Sequence, residues 1–313
     1  MLFNNNYLYV TSIFIAKKDK SQCLADIIKK SPITKSIPLC KMDTYGDDIK
    51  RYYISFSEES TEIILSGFTD RKIIIISIYL NLTEDSLETE SQILYSKYFS
   101  SPITATCIFN YCNINYLLLG DQNGNLFLLK KQSQFKYILL KIINDHTQEI
   151  QYIIFNSHIN CFATTSKDGF VNFYLVPSFT LLNSFEVTKD SPIDKVFIFH
   201  TPLYCFVAFN EQNKSLICHS INIDQVLFEY EPDEEKNLII KCPVMIEKRN
   251  ANEYLAFVNE KNEIIVLTIP ELNEFKKCSV DFEVCILEYS KESNVLIAVE
   301  KGGCSIAYVN IWD

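Results

Sequence analysis

Short apolar runs separated by turn-forming residues recur along the chain, and most are too short to be anything but strands. Residues 145–187 show the unit most clearly. Apolar segments lie at Ile150–Phe155, Cys161–Thr165, Phe170–Leu175 and Leu181–Val187. Lys167-Asp168-Gly169 folds the second segment onto the third, and Pro177-Ser178 leads into the fourth. The same hairpin pattern recurs in "EIILSGFTDRKIIIISIYL" (62–80), turning near Asp70-Arg71, and in "YLLLGDQNGNLFLLKK" (116–131), turning at Asn123-Gly124. It recurs again in "YCFVAFNEQNKSLICHSI" (204–221), "YLAFVNEKNEIIVLTI" (254–269) and "VLIAVEKGGCSIAYVNI" (295–311), with turns at Gln212-Asn213, Lys261-Asn262 and Gly302-Gly303.

The residues that close these turns, at 71, 124, 169, 213, 262 and 303, are spaced by 53, 45, 44, 49 and 41 residues. A hairpin at this period, with one strand before it and one after, is the pattern of four-stranded propeller blades. The longest interval holds "LTEDSLETESQ" (82–92), which reads as a polar, acidic insertion between two strands. A single sheet of this size cannot bury both its faces, but sheets stacked face to face can. Ile73–Ile76, Leu117–Leu119 and Ile264–Leu267 are accordingly apolar without alternation. A doubly wound α/β fold would show similar runs, yet it needs helices between them, and only Leu24–Lys30 reads as helical. The expectation is an all-β, single-domain β-propeller over residues 1–313 with about seven four-stranded blades, the first or last irregular. Six blades are recognisable in 46–313. Residues 1–45, with strands at Tyr7–Ala16 and Ser36–Met42, supply either an incomplete first blade or a closing strand.

Composition narrows the picture. The 313 residues are 48% hydrophobic and 13% aromatic, as in a globular protein rich in strands. Only 7 are Gly, so Asn and Asp must take positive φ in many turns. The net charge of −10 argues against a nucleic-acid or anionic-membrane binder, either of which needs a basic face. The acidic run Glu231–Glu235 reads as a solvated loop. The 11 Cys are odd in number, contain no CxxC, and mostly sit in or beside apolar runs. They read as free thiols in a reducing compartment, hence a cytoplasmic protein; the sequons at Asn81 and Asn213 are then coincidental. No stretch reaches the about 18–20 apolar residues of a membrane helix. "YLYVTSIFIA" lacks the preceding basic residues of a secretory leader and reads as a strand.

His146 precedes Asp168 by an interval similar to that in WD40 repeats, with Thr164 four residues before Asp168 and Tyr174 six after it. This unit resembles a WD40 blade. The resemblance implies a hydrogen-bonded relay of His146, Thr164, Asp168 and Tyr174, with Tyr in the place of Trp, that ties the turn to the strands. The terminal Trp312-Asp313 resembles the dipeptide that gives that family its name. The blocks "SGFTDRKIIIIS", "SPITATCIFNYCNINYLLLGDQNGNLFL", "ATTSKDGFVNFYLVPSFTLLNSF" and "HSINIDQVL" are similar in order to the C-terminal WD40 region of BEACH-domain proteins, over about residues 45–230. That family consists of large non-enzymatic scaffolds in vesicle and lysosome-related traffic. This chain contains no BEACH module before its blades, so it is expected to be either the tail of a longer product or a free-standing propeller.

Chemistry is sparse. The His residues at 146, 158, 200 and 219 have neither HxH nor HExxH spacing, and His200 and His219 read as satisfied structural residues. "GDQNG" lacks the Lys-Ser/Thr of a phosphate loop, and no GxSxG elbow occurs. Asp70, Asp121 and Asp168 occupy turns, where Asp bonds its own backbone. No catalytic residue, cofactor or metal is expected. The expected function is a non-catalytic scaffold for protein partners, vesicle trafficking being the leading process and any membrane association indirect. The alternatives are a structural subunit of a cytoskeletal or ciliary assembly and a propeller enzyme. Candidate partner-binding positions are the turn residues Arg71, Gln122, Lys167, Glu211, Lys261 and Lys301.

Overall fold

The structure is a computed structural model that describes residues 2–4, 7–11, 34–38, 51–56, 62–69, 72–82 and 87–310, except 134–135, 190, 201–202, 231–239, 248–252, 291–292 and 302–304. Every regular element among the described residues is a strand. The chain divides into two compact units, residues 1–103 with 131–138 and residues 104–130 with 139–313.

In the first unit, β1 (Leu2–Asn4), β2 (Tyr7–Thr11) and β3 (Thr34–Pro38) form a three-stranded antiparallel sheet in that order. The remainder of the two expected N-terminal strands, 12–16 and 39–42, lies outside the described residues, as does Arg71. A four-stranded antiparallel sheet follows, of β4 (Arg51–Phe56), β5 (Glu62–Thr69), β6 (Lys72–Leu82) and β7 (Leu87–Tyr98). Here the structure differs from the expected insertion at 82–92. Leu82 pairs with Leu87, and Glu88, Thr89 and Glu90 pair with Asn81, Leu80 and Tyr79, so most of the acidic stretch is strand. Ladder bonds are made by the backbone, so a polar segment can extend a hairpin whose apolar half is already paired.

Four more sheets have four strands and one has three. The strands are β8 (Ile103–Tyr111), β9 (Ile114–Asp121), β10 (Leu126–Ser133) and β11 (Lys136–Ile143); β12 (Ile150–Asn156), β13 (Cys161–Ser166), β14 (Phe170–Leu175) and β15 (Thr180–Glu186); β16 (Lys195–Phe199), β17 (Cys205–Asn210), β18 (Ser215–Ser220) and β19 (Val226–Tyr230); β20 (Lys241–Glu247), β21 (Glu253–Val258), β22 (Glu263–Thr268) and β23 (Glu274–Ser279); and finally β24 (Val284–Ser290), β25 (Val295–Glu300) and β26 (Ile306–Val309). Each sheet keeps its strands in sequence order.

The second unit is a stack. One core, with Phe109, Leu118, Leu128, Phe162 and Tyr174, lies between the sheets of β8–β11 and β12–β15. A second, with Phe173, Phe185, Ile198 and Phe206, joins β12–β15 to β16–β19. Phe199, Val207, Phe257 and Leu267 fill the third, and Ile246, Val266, Leu287 and Leu296 the fourth. A strand between two cores must be apolar on both faces, and β13 and β17 are buried at all six positions. The fourth strands β15, β19 and β23 are mostly exposed, so in these three sheets burial falls from the middle strands to the fourth. The last sheet buries Val284, Leu287, Leu296 and Ala298 on one face, while Ile286, Ile306 and Tyr308 are nearly half exposed on the other.

The turns explain how so few glycines suffice. Gly124 and Gly169 take φ of 85° and 82°, and Asn262 takes the corresponding place at 58°. A Cβ at Gly124 would collide with the His146 carbonyl, and one at Gly169 with that of Thr188. Asn tolerates the left-handed region better than other residues that carry a side chain, so it serves where no such collision threatens.

Candidate functional site

The hairpin turns of the second unit are built two ways. In the turn between β13 and β14, His146 Nδ1 lies 3.0 Å from Asp168 Oδ2, and its Nε2 lies 2.8 Å from Thr164 Oγ1. Asp168 also accepts the backbone N–H of Thr147 at 2.9 Å and of Phe170 at 3.1 Å. With the ring proton on Nδ1, His146 donates to the carboxylate and accepts from the Thr164 hydroxyl, which satisfies all three groups. Burial would raise the Asp168 pKa, but the hydrogen bond of His146, its charge when protonated, and the two backbone donors outweigh it and bring it from 3.8 to about 2. Tyr174 is buried and stacked on Phe162, with ring centroids 4.7 Å apart. Burial, then the charge of Asp145, raises its hydroxyl pKa despite hydrogen bonding to Asn172 and Thr164. Thr164 and Tyr174 stand on adjacent strands of one sheet, and His146 and Asp168 meet beside its turn.

Two other turns are closed locally. Asp121 Oδ1 accepts from the N–H groups of Asn123 and Asn125, and Oδ2 from the Asn125 side chain at 2.7 Å. Asn259 Oδ1 accepts from Lys261 and Glu263, both at 2.9 Å, while its amide donates to Glu263 Oε2 at 2.6 Å.

The turns at Asp121 and Asp168 frame a shallow, solvent-open cavity of about 490 Å³ lined by Gln122, Asn123, Thr147, Gln148, Glu149 and Lys167. Two expected contact residues, Gln122 and Lys167, therefore share one site, from turns of neighbouring sheets. Lys167 is anchored twice to Glu149: its N–H donates to the Glu149 carbonyl at 3.0 Å, and Nζ lies 2.7 Å from Oε2. Lys301 repeats the device on Glu283, at 2.8 Å and 3.2 Å. Glu211 and Lys261 are exposed on turns of their own, the Glu211 N–H donating to Asp194 Oδ2 at 2.6 Å. Sequence reasoning missed Thr147, Gln148 and Glu149. They precede β12 and carry no motif; the separation of 18 residues in Glu149–Lys167 and Glu283–Lys301 is a signal that could have found the glutamate.

Away from this cavity, His200 Nδ1 lies 2.7 Å from the buried Glu253 Oε1, and its ring stacks on His158 at 4.1 Å. His219 stacks on Phe206. Among the described residues no three His, Cys, Asp or Glu side chains are grouped to hold a metal ion, and no helix is long and apolar enough to cross a membrane.

No family model matches the chain, and no curated protein matches it. Solved structures do: 1441 chains match, so the architecture is a widely used one. A chain in the crystal structure of the mitotic checkpoint complex is similar over 90% of this chain and 78% of its own length, with a TM-score of 0.62 and 9% identity. The antiparallel four-stranded sheets fit a β-propeller. At that identity the likeness concerns the fold alone.

Proposed function

We propose that this chain is a non-catalytic protein-binding scaffold of the cytoplasm, and that its partner sits on the cavity formed by Gln122, Asn123, Thr147, Gln148, Glu149 and Lys167. The observation that carries the reading is the convergence of anchored turn residues from neighbouring sheets on one recess. Four of its six side chains, Gln122, Asn123, Gln148 and Thr147, offer neutral hydrogen-bonding groups suited to a peptide surface, and one ion pair gives polarity. Loops on a rigid scaffold are where binding residues concentrate. That the similar solved chain belongs to a multiprotein complex is in keeping with this. We further propose a closed ring of seven blades, since the half-exposed Ile286, Ile306 and Tyr308 call for a covering sheet. His146, Thr164, Asp168 and Tyr174 act in it as the relay that locks one blade.

The block similarity to BEACH-domain proteins supports a role in membrane traffic, with membranes reached through partners. Membership of a stable cytoskeletal or ciliary assembly is the second reading, favoured by the occurrence of this fold within a solved complex. Affinity purification of the wild-type chain beside a Gln122→Ala/Lys167→Glu variant tests the site. The variant is expected to lose the specific partners; recovery of the same proteins by both would refute the assignment. Vesicle tethers among the lost proteins support traffic, and stoichiometric filament or axoneme components support the second reading.

A further inference from the structure

Three first strands carry a β-bulge near the same end. In β12 the extra residue is Gln151, between the paired Ile150 and Tyr152. In β20 the irregularity falls on Cys242 and Pro243, and in β24 on Cys285. A bulge interrupts pairing and re-aims the side chain it contains, so the two cysteines project from corresponding points of neighbouring sheets. Cys242 sits at φ 50°, a strained choice for a residue with a β-carbon. Its Sγ donates to the backbone carbonyl of Cys285 at 3.0 Å, and Cys285 Sγ donates to the Glu300 carbonyl at 3.3 Å. The acceptor of the first bond belongs to the second cysteine, so the two residues lie side by side where the sheets meet.

The two thiols are unequal. Cys285 is exposed, whereas Cys242 is partly buried. Burial raises the Cys242 pKa, with the charges of Lys195 and Lys241 pulling the other way. This suits an attacking thiol that waits and an outer thiol that reacts first.

We propose that Cys285 and Cys242 form a peroxide-sensitive dithiol, a modification site that cross-links the last two sheets of the chain. The Cys285 thiolate attacks one oxygen of hydrogen peroxide. An S–O bond forms, the O–O bond breaks, and hydroxide leaves and takes up the proton released by the thiol as water. The Cys242 thiolate then attacks the resulting sulfenic sulfur, forming the S–S bond and expelling the oxygen as a second water. Two thiols are oxidised to one disulfide, and one peroxide is reduced to two waters. The cross-link ties β20 to β24, whose sheets otherwise meet in the core of Val266 and Leu296 and through the Cys242–Cys285 hydrogen bond.

The test treats the reduced full chain with stoichiometric hydrogen peroxide, followed by non-reducing peptide mapping and thermal unfolding. A Cys242–Cys285 linked peptide two hydrogens lighter than its parts is expected, with a higher unfolding midpoint that dithiothreitol reverses. Cys242→Ser should leave a sulfenic acid at Cys285 that dimedone captures, and Cys285→Ser should leave Cys242 reduced. Circular dichroism of both variants checks that they fold. Oxidation of wild type that stops at Cys285, or that links other cysteines such as the exposed Cys112 instead, overturns the proposal.

Discussion

The hairpins at Ser166–Phe170 and Asn259–Glu263 have the same shape and are held by opposite means. The first depends on a side chain from outside it: His146 reaches from beyond the preceding strand to hold Asp168 and Thr164 together. The second is held chiefly from within, by Asn259 bonding its own turn, with Lys277 Nζ of the adjoining β23 2.8 Å from Glu263 Oε2. Glycine is obligatory in the first because the Thr188 carbonyl crowds it, whereas Asn262 serves in the second. A long-range tether locks a turn to the body of its sheet; a local one shapes the turn and leaves its position to packing.

Substitutions can break this contrast. Asp168→Ala strands the His146 donor and two backbone N–H groups, so it should cost about 1–3 kcal/mol, seen as a lower midpoint of thermal unfolding. Asn259→Ala should cost less, about 1 kcal/mol, because its partners lie beside the exposed Glu260 and Lys261 and water can replace the lost acceptor. A double-mutant cycle should show strong coupling of Asp168 to His146 and none to Asn259. Equal losses from the two single substitutions would erase the distinction.

Next in size is the glycine contrast. Gly169→Ala should destabilise by more than about 1 kcal/mol, while Asn262→Gly should stay within about 0.5 kcal/mol, both read by urea midpoint. Acid gives a third measurement. The Asp168 pKa is depressed from 3.8 to about 2, so its contribution is complete above pH 4 and fades as pH falls through 2. Subtracting the stability curve of Asp168→Asn from that of wild type should leave a slope confined to this window; a flat difference would mean that the carboxylate charge is irrelevant. Smallest of all is Lys167→Ala. An exposed ion pair contributes roughly 0–1 kcal/mol, so stability should barely move although the residue belongs to the proposed docking cavity.

The same contrast shows what could be read beforehand. Hairpins were legible because turn residues and apolar runs are local: Asn123-Gly124, Asp168-Gly169 and Lys261-Asn262 announce themselves. The set around His146 was legible through its resemblance to a repeat whose spacing carries the tether. What escaped depends on geometry between sheets. Nothing local marks Glu149 as the anchor of Lys167, and a bulge at Cys285 looks like one more strand residue. The paired length of β6 and β7 was hidden because Glu88–Gln92 is polar, and polarity reports solvent exposure more directly than backbone pairing.

Because the second and third strands of these sheets are the most buried and the fourth the most exposed, the effect of a sequence change here should depend on its distance from the inner strands. An alteration in β13 or β17 disturbs two packed interfaces together, while the rims at β15, β19 and β23 are permissive ground. Reporter tags or engineered epitopes therefore belong on the periphery, where the fold can carry them without loosening.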